Sequence, residues 1–130
     1  MQKIKLDELQ IAVMQVLWQL KEATVTQVQE ALKEKKDLAI TTIGTILSRL
    51  EKKGAVKHRA EGKKYIYEPL VTEEETRSTM LSGLINQMFQ GKTSSLVNHL
   101  LKESEFDETE IEELKKLITQ TEEQKGDKDE

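Results

Sequence analysis

The spacing of apolar residues changes twice along this chain, and those changes restrict its fold more than any other feature. From Leu6 to Leu50 apolar side chains recur at three- and four-residue steps, the repeat of a helix face. Over residues 56–68 the repeat drops to two, the period of a strand. Beyond Pro69, the only proline, helical spacing returns. Helices, one hairpin and more helices make a mainly α chain with a small β-hairpin wing.

Within the first block, Leu6, Leu9, Val13, Val16, Leu17 and Leu20 predict a helix over about residues 7–21. Thr24 can cap a second helix, with Gln27 three residues on as its capping-box partner, and Val28, Ala31 and Leu32 form its buried side. This helix runs out in residues 33–36. A third helix carries the stripe Ile40, Ile43, Ile46, Leu47 and Leu50. Lys52 and Lys53 lie in its last turn, and Gly54 stands where a left-handed terminating residue belongs. Residues 56–59 and 65–68 then read as two short strands around a basic tip at Gly62. Three helices followed by a hairpin is the order of a winged helix, and helices two and three suit a helix-turn-helix.

Downstream, Thr72-x-x-Glu75 opens a helix carrying Met80, Leu81, Leu84, Ile85, Met88 and Phe89. Leu96, Val97, Leu100 and Leu101 mark a second, and Asp107-x-x-Glu110 opens a third with Ile111, Leu114, Leu117 and Ile118. The rest of the chain is too small to cover these stripes. Residues 123–130 have no apolar side chain and are expected to form a disordered acidic tail. The expected organisation is a winged helix-turn-helix over residues 1–70, a three-helix region over 71–122, and that tail.

The net charge of −4 is misleading, because residues 38–69 hold seven Lys/Arg against three Asp/Glu and residues 70–130 hold seven against fifteen. A basic segment inside an acidic chain points to nucleic acid. With no cysteine, thiolate metal sites, disulfides and cysteine nucleophiles are excluded. No apolar run is long enough to span a membrane, and the N-terminus has no signal-peptide pattern. His58 and His99 stand apart from any second ligand, so no metal is expected; Trp18 reads as a packing residue. The acidic runs at 73–75 and 108–113 suit helix N-terminal turns, and no nucleophile, base or phosphate loop accompanies them. Neither an enzyme nor a cofactor is expected.

The third helix leaves Thr41, Thr42, Thr45, Ser48, Arg49 and Lys52 opposite its apolar stripe. Short hydroxyls let a helix approach a groove floor, a threonine methyl suits a thymine methyl, and arginine reaches a guanine edge or a phosphate. Lys57, Arg59, Lys63 and Lys64 on the hairpin suit phosphates. Another reading makes these an ordinary solvated face and an edge hairpin guarded by lysines. A further alternative uses the winged helix as a protein-interaction module, its hairpin docking an acidic partner.

The stretch Leu38-Ala39-Ile40-Thr41-Thr42-Ile43-Gly44-Thr45-Ile46-Leu47-Ser48-Arg49-Leu50-Glu51-Lys52-Lys53-Gly54 resembles the recognition segment of the penicillinase-repressor (BlaI/MecI/CopY) regulators. The resemblance continues through the wing to Ser95-Leu96-Val97 and Asp107-Glu108-Thr109-Glu110-Ile111-Glu112-Glu113-Leu114, covering about residues 5–120. It implies a bacterial, cytoplasmic, nucleoid-associated repressor that binds a double-stranded inverted-repeat operator as a homodimer. The family's base-contacting positions fall on Thr41, Thr42, Thr45 and Arg49, whereas Gly44 replaces a bulkier residue. Dimerisation falls on Leu81, Leu84, Ile85, Met88, Phe89, Leu96, Leu100, Ile111, Leu114 and Ile118. The cysteine-rich tail of copper-responsive members is missing. In β-lactam-responsive members repression is relieved by proteolysis at an Asn-Phe bond in the C-terminal region, and a membrane sensor protease is a candidate partner. Here Val97-Asn98-His99-Leu100-Leu101 holds no such pair, which leaves two alternatives: cleavage at a related bond such as Asn98–His99 or His99–Leu100, or a different control.

Overall fold

The computed structural model describes residues 5–103 and 105–128. The first helix, α1 (Glu8–Leu20), starts at Asp7, whose carboxylate accepts from the Gln10 amide at 2.8 Å. Gln10 returns the bond to the Asp7 amide, which closes a capping box. A two-residue strand, β1 (Ala23–Thr24), leads into α2 (Val25–Leu32). Thr24 caps α2 through Gln27 in the reciprocal manner expected. The recognition-type helix is α3 (Ile40–Lys52). It ends on Gly54 at φ +83°, with the Gly54 amide donating to Glu51 and the Ala55 amide to Leu50. That is a Schellman cap, and it turns the chain directly into the wing.

The wing pairs β2 (Val56–Glu61) with β3 (Lys64–Pro69) in antiparallel register from Val56↔Pro69 to Glu61↔Lys64. Both strands run further than their alternation indicated, because only Gly62 and Lys63 form the turn. Gly62 has φ +60°, as a II′ hairpin turn requires at its first central residue. β1 adds to the other edge of β3, giving the order β1-β3-β2. Two residues are too short for a period-two signal, so nothing in the sequence marked this strand.

The core lies among α1, α2, α3 and the sheet: Val13, Met14, Leu17, Val28, Ile43, Leu47 and Leu50 are fully buried, and Tyr67 seals the sheet side. Three residues assigned to buried stripes lie outside it. Leu20 and Ile40 sit at helix ends, where the next turn that would cover them is missing, and both are exposed, as is Ala31. Trp18 packs against the core, and its indole N–H donates to the Val71 carbonyl at 2.9 Å, securing the exit from the wing.

Three more helices follow: α4 (Glu73–Met88), α5 (Thr93–Glu103) and α6 (Glu108–Lys128). Thr72 caps α4 and Asp107 caps α6. Residues up to Leu84 form one compact unit and those from Ile85 a second. The division falls inside α4, rather than after residue 70, because Thr76 is buried and Met80 packs on the core of the first unit. In α6 the helix continues to Lys128 over residues expected to lack structure from 123. Glu122, Glu123, Gln124 and Lys125 are good helix formers and extend an existing helix without a new nucleus. Residues 129 and 130 of that expected tail lie outside the described residues.

Candidate nucleic-acid interface

Ile43, Ile46, Leu47 and Leu50 anchor α3 to the core, which turns Thr41, Thr42, Thr45, Ser48, Arg49 and Lys52 outward together; all six are exposed. The structure therefore gathers every residue expected on this face. The Thr45 hydroxyl donates to the Thr41 carbonyl at 3.0 Å, so outward it offers its methyl and lone pairs rather than a donor. Ala39 precedes α3 without a side-chain cap, leaving the first amides of the helix open to an anionic group. At Gly44, an added Cβ would meet nothing within 4 Å, so packing does not account for this glycine.

The four basic wing residues separate into two pairs. Lys63 and Lys64 are exposed at the turn, and among the described residues neither takes part in an ion pair, nor do Arg49 and Lys52. Lys57 instead lies 3.4 Å from Glu68, its direct neighbour across the sheet. Arg59 reaches Glu22 at 2.6 Å and Glu61 at 3.4 Å. The hydrogen bond to Glu22 is the main reason its guanidinium is held above its ordinary value, even though desolvation opposes it. Lys57 and Arg59 thus brace the base of the wing, while the free cations lie at its tip and on α3.

Sequence reasoning missed two residues of this surface. His58 stands apart from any partner in the sequence, yet its Nδ1 lies 2.8 Å from both carboxylate oxygens of Glu51 at the end of α3. The His58 ring also packs, tilted, against Tyr65 and Tyr67, with centroids 4.6 and 5.4 Å away. Burial, and then the Glu51 charge, push the Tyr67 phenol above its usual value. Only the reversal at Gly54 brings residues seven apart on a helix and a strand together, so neither period carried a signal for the pair.

A helix-turn-helix whose outward helix carries hydroxyls and an unpaired arginine, beside a hairpin tipped with unpaired lysines, defines a winged-helix DNA-binding protein. The family model described as "Penicillinase repressor" matches residues 6–120. The chain belongs to this family, and so is a DNA-binding transcriptional repressor and not an enzyme. It is 30% identical over 106 residues to the methicillin resistance regulatory protein MecI of Staphylococcus aureus, covering 82% of this chain and 86% of that one. Against the penicillinase repressor of Bacillus licheniformis it is 30% identical over 119 residues, covering 91% and 93%. The solution structure of the DNA binding domain of the repressor BlaI matches with a TM-score of 0.50 and 31% identity. That match covers 55% of this chain and 87% of the other. The family assignment replaces the alternative of a winged helix devoted to protein contacts.

Proposed function

We propose that the chain represses transcription as a homodimer on an inverted-repeat operator. Each α3 enters a major groove, where Thr41, Thr42, Thr45, Ser48 and Arg49 meet base edges and Lys52 meets a phosphate. Each wing lays Lys63 and Lys64 along the backbone, and the open amides at the start of α3 take another phosphate. In this reading Lys57 and Arg59 support the wing. The observation that carries it is the exposed polar face of α3 together with the unpaired cations at the wing tip.

The dimer contact is assigned to the helices after residue 71, in support of which Leu81, Leu84, Met88, Leu100, Ile111 and Ile118 are exposed. Ile85, Phe89, Leu96 and Leu114 are only half-covered. Stripes this broad gain stability when a second copy buries them. The same reading places the protein in the cytoplasm, on the nucleoid. It also places relief of repression at Asn98, His99 and Leu100 through a membrane sensor protease; these residues are exposed on α5. Among the described residues no helix is long and apolar enough to cross a membrane.

A gel-shift titration against promoter fragments flanking its own gene and against random DNA tests the assignment. Tighter binding to one promoter, with a footprint of two symmetric half-sites, is expected. Equal affinity for random DNA would overturn the sequence-reading role of α3.

A further inference from the structure

Beside the backbone cap at Gly54 and the buried Ala55 and Val56, one side-chain pair ties the end of the recognition helix to the wing. Glu51 occupies the last turn of α3, and His58 is the third residue of β2. Both oxygens of Glu51 lie 2.8 Å from Nδ1 of His58. Because a carboxylate only accepts, Nδ1 carries the proton and donates. The imidazole is held by the rings of Tyr65 and Tyr67 on β3, so the bond reaches from the helix through β2 to the second strand of the wing. In sequence Glu51 stands between Arg49 and Lys52, the cations this reading assigns to DNA, so its charge works against their role.

We propose that Glu51 and His58 are positioning residues that set the angle of the wing against α3. The lysines at its tip thereby reach the DNA backbone while α3 is seated in the groove. The inference rests on the reading that Lys63 and Lys64 meet phosphates. The base of the wing is fixed where Val56 and Tyr67 enter the core and where β3 pairs with β1, but a bend of a few degrees beyond that point still displaces the tip. The pair removes that freedom before DNA arrives, so the ordering is not charged to binding.

Charge and position predict opposite signs for the loss of Glu51. As a half-buried carboxylate alone, its removal strengthens DNA binding, since one repulsion disappears. As a positioning residue, its removal weakens binding. Fluorescence anisotropy with the full chain and a labelled promoter duplex should therefore give Glu51→Ala an affinity lower by roughly threefold to tenfold. Random DNA should lose affinity to the same extent. Glu51→Gln keeps an acceptor for Nδ1 and loses the charge, and should bind at least as well as the native chain. His58→Ala should behave as Glu51→Ala, with recovery in His58→Asn, whose amide N–H replaces the donor.

The effect should also vanish in a Lys63→Ala/Lys64→Ala background, because the pair acts through those lysines; a purely structural role would stay additive. Native or higher affinity in Glu51→Ala, or an equal fall in Glu51→Gln, would overturn the proposal. If Glu51→Ala does not fold, His58→Ala against His58→Asn decides on the same terms, with equal values overturning it. The wing reading fails separately, if Lys63→Ala/Lys64→Ala leaves affinity and salt dependence unchanged.

Discussion

The unit that reads DNA and the helices beyond Ile85 use similar apolar spacings with opposite results. In the first, Val13, Met14, Leu17, Val28, Ile43, Leu47 and Leu50 have no exposed surface. In the second, α5 buries no residue, and Leu117 and Ile118 remain 58% and 57% exposed. Covering one leucine or isoleucine is worth about 1.5–3 kcal/mol. The first unit draws that stabilisation from its own chain. The second has it still to gain, which is the physical argument for a second copy.

The largest test of this contrast sets Leu47→Ala against Leu100→Ala. Leu47→Ala leaves a cavity in a closed core and should cost about 2–5 kcal/mol. In denaturant unfolding its loss should not depend on protein concentration. Leu100→Ala should cost a single chain little and instead raise the dimer dissociation constant in sedimentation. A concentration-independent loss at Leu100 like that at Leu47 would break the comparison.

Within the first unit, Arg49→Ala should lose about 1–3 kcal/mol of binding and relax base preference at one position in each half-site. A panel of single-base operator variants measures this, and an unchanged preference would remove Arg49 from base reading. Lys63→Ala with Lys64→Ala should weaken binding to all sequences alike and flatten the salt dependence by about two phosphate contacts per subunit. Titrations at several salt concentrations read that slope.

The smallest effects concern helix caps. Thr24→Ala should cost about 1 kcal/mol of global stability, because α2 belongs to the closed core. Asp107→Ala removes a similar bond, 2.8 Å from the Glu110 amide, on a helix without such a core. Its loss should appear as faster amide exchange in the first turn of α6, with the unfolding midpoint of the first unit unchanged. A shared shift in both would mean that the two units unfold together.

The elements were legible in the sequence wherever their signals were local. Asp107, Thr24 and Thr72 cap helices within three residues, Gly54 closes α3, and the period change placed the wing. The polar face of α3 was legible for the same reason: once Ile43, Ile46, Leu47 and Leu50 face inward, helical geometry sends Thr41, Thr45, Ser48 and Arg49 outward. The roles of the wing cations were not legible. Lys57, Arg59, Lys63 and Lys64 all read as hairpin cations, and only Glu68 across the strand and Glu22 before β1 show that the first two are engaged within the protein.

By itself, then, the sequence determined the order of the elements, their caps, the wing and the outward face of α3. These follow from interactions between residues three or four apart and from backbone periods. Only the tertiary structure decided that β1 joins β3, that Trp18 holds Val71, that Arg59 turns to Glu22 and that His58 meets Glu51. Such pairs depend on where separate elements come to rest, which is set by the packing of the whole core and leaves no period or spacing behind.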